Sequence, residues 1–380
     1  MTHGTAVAAG DSSMPATAAP DPRPGRRVLS TAEAVERMTA KRRGKRGCYA
    51  MFSSYLGGVV TDPAVMTVPL DDHMVHRGHG VFDTCSLVNG RLYRLGIHID
   101  RLLVSASGAR IEVPWSREQL IEMVADTAAS SGARNGIVRY WLTAGPGGFS
   151  FMPSECEAPC FYCVVLDPMS FGADGFDPMR DGFREATVRD TPMKPPLLAQ
   201  IKSNNYLLNV LTHMEAADGG GTFGIIVDDD GFIAEACVMN VCSVSDEGVF
   251  VTPPFEGILH GTTMRRLLEM ARSVLCAEGL LRSVEQRPLP AAEARAAAEL
   301  IMSGGDTHVF PVVEWDGAPI GNGVVGPVAK RLHELIETET TAGNGSPDDF
   351  IAVQYGPLDC AQPVDEAHPE NAIVVPASDK

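Results

Sequence analysis

Apolar residues recur along the chain at two spacings, which predict helices in some segments and strands in others. Between residues 97 and 109 they recur every three or four positions, as on the buried face of an α-helix. Residues 137–143 and 161–166 are apolar runs of strand length, which indicates buried β-strands. Asn89-Gly90 separates two further apolar runs, so it predicts the tight turn of a β-hairpin.

The second half of the chain alternates short apolar runs with tight turns of acidic residues and glycine. Strands are predicted at residues 223–227, 232–235, 238–244 and 249–251, joined as an antiparallel meander. Residues 204–217 have helical spacing, and the predicted buried face holds Leu207, Leu208, Leu211 and Met214. Another helix runs on from Met264, with Thr262 or Thr263 as its predicted N-cap.

These elements predict an α+β fold with a small domain at residues 48–166 and a larger domain at 183–340. Residues 167–182 are rich in Gly, Pro, Met and Asp, which is typical of a linker. Residues 1–47 combine small residues with a basic run, so they are predicted to be a disordered arm or a transit segment. Residues 341–380 are predicted to be a disordered acidic tail.

Charge and composition exclude several classes of partner. The net charge of -17 does not favour binding to nucleic acids or to anionic membranes. The sequence has neither an apolar run of transmembrane length nor a signal-peptide core. Several of the nine cysteines lie in apolar runs, which suggests reduced thiols rather than disulfides. We therefore expect a cytoplasmic or plastid protein that is not secreted.

Three sequence features can act together as a binding and reaction site. Lys202 is an amine that can form an imine with an aldehyde and move a proton. Glu235 lies among apolar strand residues and can pair with a protonated ring nitrogen. Gly261-Thr262-Thr263 at a helix start offers N–H groups and hydroxyls to a phosphate. Taken singly, the lysine could be a solvated charge and the glutamate an edge-strand charge, but together the three supply the chemistry needed to bind and use pyridoxal 5'-phosphate.

The order of these motifs resembles the class IV, or fold type IV, enzymes that depend on pyridoxal phosphate. The motifs IKSNNYL, DDDGFIAEACVMNV, ILHGTTMRR and FPVVEWDG carry the resemblance, which covers about residues 48–340. The family includes branched-chain and D-amino-acid aminotransferases and aminodeoxychorismate lyase. The resemblance implies that Lys202 is the catalytic Schiff-base lysine, and that the other cofactor contacts include Glu235, Asn240, Thr262 and Thr263.

The N-terminal half extends this resemblance. HRGHGVFDT, followed by IHIDRLLVSA, matches the family's N-terminal pattern and implies that Arg101 binds the cofactor phosphate. The likeness is strongest to the plant-type plastid branch of D-amino-acid transaminases and aminodeoxychorismate lyases. It implies a homodimer whose subunit has a smaller N-terminal α/β sandwich and a larger, β-barrel-like C-terminal domain with helices.

The chain departs from the family pattern at the phosphate and substrate positions. The usual Ser/Thr pair is replaced around Gly304 and Gly305, which offer only backbone N–H groups. Phe82 stands where many D-amino-acid enzymes use tyrosine, and their Arg-x-His carboxylate-binding motif has no match near residues 145–149. The remaining candidates for binding a substrate carboxylate are Arg139, Arg77 and His79.

These features predict an aminotransferase that moves an amino group from an amino acid such as D-alanine to a 2-oxo acid. A lyase that gives p-aminobenzoate and pyruvate, and a branched-chain aminotransferase, are the alternatives. A non-catalytic protein that binds the cofactor is a third possibility, which the complete set of Lys202, Glu235 and Arg101 disfavours. His73, His76 and His79 are three apart without a second pair of ligands, so no metal site is predicted.

Overall fold

The computed structural model describes residues 28–42, 47–168, 175–305, 308–342 and 349–356, in two units, Met1–Arg43 and Gly44–Lys380. In the first unit, helix α1 covers Thr31–Arg42 and buries none of its residues. The Ser30 amide donates to the Glu33 carboxylate at 3.1 Å, and the Glu33 amide donates to the Ser30 hydroxyl at 3.3 Å. This reciprocal cap stabilises a helix start, so the prediction of a wholly disordered arm is wrong for these residues.

The second unit combines helices with two larger sheets and one smaller sheet. Its helices are α2 (His73–Arg77), α3 (Leu95–Gly108), α4 (Arg117–Ser131), α5 (Pro178–Asp181), α6 (Pro196–Gln200), α7 (Leu207–Asp218), α8 (Thr262–Met270), α9 (Ala291–Arg295) and α10 (Pro327–Ala342). Its strands are β1 (Cys48–Ser53), β2 (Gly58–Val60), β3 (Gly80–Val88), β4 (Arg91–Tyr93), β5 (Gly136–Thr143), β6 (Cys160–Leu166), β7 (Phe183–Glu185), β8 (Thr187–Val188), β9 (Ile225–Val227), β10 (Ile233–Ala236), β11 (Asn240–Val244), β12 (Val249–Thr252), β13 (Ser283–Gln286), β14 (Glu299–Ser303), β15 (Phe310–Trp315), β16 (Ala318–Pro319) and β17 (Phe350–Ala352).

The first sheet has the strand order β17-β4-β3-β5-β6-β1-β2, and each neighbouring pair is antiparallel. Asn89 and Gly90 have φ angles of 52° and 77° and join β3 to β4, which confirms the predicted hairpin turn. Helices α3 and α4 pack their apolar faces against this sheet, with Ile99, Leu102 and Leu120 fully buried. The spacing of apolar residues therefore predicted this layer well.

The second sheet has the order β13-β12-β11-β14-β15-β16, with β7 also paired to β15, and β10-β9-β8 form the third. The predicted meander is thus divided: the β9–β10 hairpin belongs to the small sheet and β11–β12 to the large one. Helices α8 and α10 pack on the large sheet. Among the described strands, none of the three sheets closes into a barrel. The predicted α+β class is confirmed.

The predicted tail also contains ordered structure. Helix α10 continues to Ala342, and β17 pairs with β4 so that Phe350 lies opposite Tyr93. Burial of apolar side chains stabilises β17 against the sheet, since Val353, directly after the strand, is only 7% exposed. Residues 349–356 therefore correct the predicted disorder, and residues 357–380 lie outside the described part. The predicted domain boundaries at 166 and 183 stay a prediction.

Helix α7 presents its apolar side to the exterior of the chain. Leu207, Val210, Leu211 and Met214 are 69%, 52%, 39% and 56% exposed, whereas its buried residues are Asn209, Thr212 and Ala216. The predicted helix is confirmed and its predicted buried face is wrong. In the described part of the chain, no helix has the length and apolar character needed to cross a membrane.

Candidate active site

A cavity of about 360 Å³ is lined by residues from both larger sheets and from the loops beside them. It gathers segments that are more than two hundred residues apart in the sequence. Ten of the predicted site residues line it: Phe82, Arg101, Arg139, Lys202, Glu235, Asn240, Thr262, Thr263, Gly304 and Gly305. The cavity is therefore the place where the predicted chemistry can be assembled.

Lys202 lies in the loop between α6 and α7 and is fixed by its backbone. Its N–H donates to the Ser105 hydroxyl at 3.2 Å, and its carbonyl accepts from the Phe82 amide at 2.9 Å. Its Nζ lies 3.4 Å from the Tyr206 hydroxyl and 4.7 Å from the centre of the Phe82 ring. Burial and the charge of Arg101 lower the pKa of Lys202 to about 7, so a neutral amine is accessible near neutral pH.

Glu235 projects from β10 and borders the cavity with few partners. Its Oε2 accepts one hydrogen bond, from the Leu259 amide at 3.3 Å. Burial raises the pKa of Glu235, and the positive charge of Lys194 acts in the opposite direction. A buried carboxylate with so little compensation gains from a cationic partner. Its environment therefore suits a carboxylate that receives a positively charged group in the cavity.

Arg101 is held by an ion pair that the sequence did not predict. Its Nε and Nη2 each donate to one oxygen of Asp83 at 2.7 Å, and His98 Nδ1 lies 2.9 Å from Asp83 Oδ1. Although burial acts to raise it, Arg101 and His98 hold the pKa of Asp83 well below its usual range. Arg101 Nη1 also donates to the His260 carbonyl at 3.3 Å. The guanidinium is thus fixed beside the loop that leads into α8.

The start of α8 lacks a side-chain cap. Gly261 is its N-cap, and no side chain of the described residues caps it, so the prediction of a threonine cap is wrong. Thr262 and Thr263 are instead the first two helical residues. A Cβ atom at Gly261 would lie 1.8 Å from Asn240 Oδ1, which explains the glycine. Asn240 Nδ2 donates to the Leu259 carbonyl at 3.0 Å and holds this loop. Such a helix start favours an anion.

The loop after β14 adds more donors. Gly305 has a φ of 61° and open space around its Cβ position, and Gly304 lies close to the backbone of Val238. Ser303 is 1% exposed, and its hydroxyl has no hydrogen-bond partner within the described residues. His308, 6% exposed, likewise has an unpaired Nδ1 and lines the cavity. An unpaired buried hydroxyl beside backbone N–H groups is suited to a bound polar group.

Arg139 and two aromatic rings line another part of the cavity. Arg139 Nε donates to the Thr84 hydroxyl at 3.2 Å, and its guanidinium lies 6.0 Å from the Phe82 ring centre. Phe82 and Tyr206 meet edge to face with ring centres 5.0 Å apart. Sequence reasoning missed Tyr206, although its place four residues after Lys202 was the available signal. Arg139 therefore retains donors that can reach a carboxylate.

Two predicted substrate contacts, Arg77 and His79, do not line the cavity. Arg77 donates to the carbonyls of His76 and Phe149 at 2.8 and 2.7 Å. His79 Nδ1 lies 3.1 Å from His73 Nδ1, and its Nε2 lies 2.9 Å from the Ala109 carbonyl. Their side chains are thus engaged with neighbouring backbone and rings. No group of His, Cys, Asp and Glu within the described ranges is arranged to hold a metal ion.

Comparison with known proteins identifies the family. Residues 80–315 match the family model described as Amino-transferase class IV. The chain is 43% identical over 317 residues to the Arabidopsis thaliana protein named D-amino-acid transaminase, chloroplastic, with 83% of each chain covered. It is 32% identical over 282 residues to a putative branched-chain-amino-acid aminotransferase of Methanocaldococcus jannaschii, which covers 74% of this chain and 93% of that protein.

Solved structures agree in fold. The branched-chain amino acid aminotransferase of Escherichia coli superposes with a TM-score of 0.71 at 25% identity, covering 81% of this chain and 100% of that one. The branched-chain enzyme of Thermoproteus uzoniensis, solved with norvaline, gives 0.68 at 21% identity, covering 81% and 100%. The family match spans more than half of the sequence and confirms the predicted resemblance. The chain belongs to the class IV aminotransferases, transaminases that depend on pyridoxal phosphate.

Proposed function

We propose that this cavity binds pyridoxal 5'-phosphate and transfers an amino group from a D-amino acid, such as D-alanine, to a 2-oxo acid. One observation carries the proposal. Lys202, with its pKa lowered to about 7, shares a cavity of about 360 Å³ with Glu235 and the uncapped start of α8. When bound, the cofactor supplies an aldehyde for the amino group and a conjugated ring that takes up electrons from the substrate Cα.

The residues present fit this group at both of its ends. The unpaired hydroxyl of Ser303 and the free N–H groups at the start of α8 suit a phosphate, with Thr262, Thr263 and Arg101 beside them. Glu235, whose carboxylate accepts only one hydrogen bond from described residues, suits the ring nitrogen. Gly304 and Gly305 contribute backbone donors, and Asn240 holds the loop before α8.

Lys202 is the proposed proton carrier. Its lowered pKa leaves part of the Nζ population neutral near pH 7, and a neutral amine can take a proton from the substrate Cα and would deliver it to the aldehyde carbon of the cofactor. The Tyr206 hydroxyl, 3.4 Å from Nζ, restricts where the amine points. The ring of Phe82 covers one side of Nζ and excludes water there. These contacts position the proton-carrying atom inside the cavity.

Arg139 is the proposed partner of the substrate carboxylate. Among the described residues only Thr84 is hydrogen-bonded to Arg139, at Nε, so the terminal guanidinium nitrogens keep donors for a planar carboxylate. Similarity to the Arabidopsis thaliana D-amino-acid transaminase supports the proposed preference for D-amino acids over L-amino acids. Arg77 and His79 were predicted for this role and lie away from the cavity lining, which makes Arg139 the strongest of the three.

Three incubations of the purified enzyme test the substrate. We expect D-alanine with 2-oxoglutarate to give pyruvate and glutamate. L-Leucine with 2-oxoglutarate should react at least about tenfold more slowly, a selectivity of the size one well-placed contact provides. If only the aminodeoxychorismate incubation gave product, the transaminase proposal would be overturned in favour of the lyase. An equal or faster rate with L-leucine would overturn the D-amino-acid preference.

A branched-chain substrate is the second candidate. The cavity lining includes apolar residues that could contact an aliphatic side chain: Phe82, Val238, Met239, Leu259 and Phe310. Similarity to the Methanocaldococcus jannaschii protein also favours it. Because the L-leucine incubation measures this activity directly, the same experiment separates the two candidates.

A homodimer is the proposed assembly. The exposed apolar side of α7, formed by Leu207, Val210, Leu211 and Met214, is a surface of the kind that partners cover. Light scattering coupled to size exclusion should give twice the mass of the 40.5 kDa chain. The double variant Val210→Glu and Met214→Glu should shift the protein towards a monomer. A monomeric wild type would overturn this assembly.

A plastid location is proposed from the relative named chloroplastic and from the basic, small-residue N-terminal sequence. Residues 1–27 lie outside the described part of the chain. Import into isolated chloroplasts, followed by N-terminal sequencing of the imported protein, tests the proposal. Import with cleavage within residues 1–47 would support it, and retention of the full-length protein outside the organelle would overturn it.

A further inference from the structure

A second, smaller cavity also borders Glu235. Its volume of about 20 Å³ is large enough for one water molecule. Polar side chains contribute to its lining, namely Lys194, Asn209, Thr212 and Glu235. Glu235 therefore separates two spaces, the large cavity on one side and this water-sized one on another. The small cavity offers its carboxylate a set of contacts that the large cavity does not.

Asn209 gives this small cavity an unsatisfied acceptor. The side chain is 6% exposed, and its Nδ2 donates to the Cys237 carbonyl. Its Oδ1 has no partner among the residues that the structure describes. Glu235 is similar, because only Oε2 accepts a hydrogen bond from those residues. Two acceptors at one cavity call for a donor, and Lys194 carries three.

Lys194 is the cation best placed to act on Glu235. Two cations lower the pKa of Glu235, namely Lys194 and Lys202; Lys194 has the larger effect, although burial lowers its own pKa. Glu235 in turn acts to raise the pKa values of Tyr206 and Cys237. Burial raises the pKa of Tyr206 and brings that of Cys237 to about 12, so both stay neutral. The pKa of Lys202, about 7, leaves its amine partly neutral.

Lys194 is partly buried and lies against an aromatic ring. Its Nζ lies 5.1 Å from the centre of the Tyr206 ring, on which a cation is attracted to the π face. The Tyr206 hydroxyl in turn contacts Lys202 Nζ at 3.4 Å. One aromatic side chain therefore links the two lysines, with Lys194 on the side of the small cavity and Lys202 in the large one.

We infer that Lys194 is a positioning residue for Glu235: from the small cavity, its ammonium group keeps the carboxylate ionised and oriented toward the large cavity. One water bound with Asn209 Oδ1 completes the contacts. This inference rests on the proposed pairing of Glu235 with the ring nitrogen of the cofactor. Loss of the cation leaves Glu235 protonated up to a higher pH, and the pairing then weakens throughout that wider range.

Titration of the cofactor-free enzyme with pyridoxal phosphate, followed by absorbance over a range of pH, tests the inference. In Lys194→Met, we expect the midpoint pH for cofactor affinity to rise by about one unit, which weakens binding about tenfold below the midpoint. Lys194→Arg should restore the wild-type midpoint, because it keeps the charge. Unchanged melting temperatures would show that both variants fold.

A double variant separates an effect through Glu235 from one through Lys202. Removing the Lys194 charge also acts on the pKa of Lys202, which Lys194 lowers. In a Glu235→Gln background, Lys194→Met should therefore cause little further shift if it acts through Glu235. A midpoint that moves equally in both backgrounds, or does not move in Lys194→Met, would overturn the inference. A Glu235→Gln variant with wild-type affinity at every pH would instead refute the proposed role of Glu235.

Discussion

The two walls of the large cavity differ in how far the protein already satisfies their polar groups. On the wall from β3 and α3, Asp83, His98 and Arg101 bind one another at 2.7–2.9 Å. On the wall from β10, α8 and β14, Glu235 accepts one hydrogen bond from the described residues, at 3.3 Å, and none of their side chains caps α8. There the Ser303 hydroxyl is unpaired among the described residues. We call these the closed wall and the open wall.

This difference separates two roles. A buried polar network that is fully paired needs no ligand and holds its members in place. Buried donors and acceptors without partners cost free energy until something binds them. The closed wall therefore fixes Arg101 in advance, and the open wall holds most of the groups that we propose contact the cofactor. Substitutions in the closed wall should therefore lower stability, and substitutions in the open wall should lower catalysis or cofactor binding.

Lys202→Ala should have the largest effect, because Lys202 lies where the walls meet and is the proposed proton carrier. We expect kcat to fall by about ten-thousandfold, the upper range for loss of a general acid and base. Transaminase assays with saturating cofactor would measure it. The exposed Lys330 on α10 provides the control, since Lys330→Ala should retain wild-type activity. A Lys202→Ala variant with a tenth of the activity or more would remove this lysine from the mechanism.

Asp83→Asn should lower the stability of the protein, because it breaks the network of the closed wall. It leaves the Arg101 guanidinium buried without its carboxylate, which costs about 3–5 kcal/mol in the free energy of unfolding. Because Arg101 and His98 hold the pKa of Asp83 below its usual value, its contribution is present above the ordinary carboxylate pKa of about 4. That contribution disappears as pH falls through the lower, folded-state pKa.

Denaturant unfolding of the cofactor-free protein at neutral and at acidic pH would measure this contribution. The difference between wild type and Asp83→Asn should be largest at neutral pH and shrink with acidification. Asp100→Asn is a suitable control, because Asp100 pairs with Arg117 at the exposed surface, where such pairs contribute little. Equal destabilisation by the two variants would show that the closed wall is not a preformed network.

Glu235→Gln, in the open wall, should lower the catalytic rate and leave stability almost unchanged. We expect kcat to fall about a hundredfold, because an amide pairs poorly with a protonated ring nitrogen. Because burial raises the pKa of Glu235 and its carboxylate accepts one hydrogen bond from the described residues, its loss should lower the melting temperature far less than Asp83→Asn does. Steady-state kinetics and thermal unfolding test both parts, with the exposed Glu334→Gln as control. A large loss of stability would place Glu235 with the closed wall.

The sequence predicted the open wall better than the closed one. Lys202, Glu235 and the glycine-threonine helix start, which line the cavity, were predicted because each proposed chemical role needs a particular residue type. Asp83 and His98 were missed, since their role depends on how β3 packs against α3. The usable signal was local: His98 and Arg101 are three apart on one helix and so share a face. Arg77 and His79 were chosen by residue type alone, and the fold directs them elsewhere.

The fold shows a similar limit. Spacing predicted α7 but not its orientation, because an apolar side marks a face that needs covering and does not say what covers it. Tight turns predicted the hairpins β9–β10 and β11–β12, while turn residues contain no information on which sheet each hairpin joins. The three residues of β17 were too few for a period to be recognised.

Two glycines of the open wall give the smallest predicted effects and the finest comparison. A Cβ at Gly261 would lie 1.8 Å from Asn240 Oδ1, whereas at Gly305 nothing lies within 4 Å. Gly261→Ala should displace Asn240 and the start of α8, and weaken cofactor binding about tenfold. Gly305→Ala keeps the same backbone N–H and costs only about 1–2 kcal/mol of stability for its positive φ. Its cofactor affinity, measured by the same absorbance titration, should stay close to wild type. Equal loss of affinity in both variants would mean that side-chain space, rather than backbone donors, governs binding at this wall.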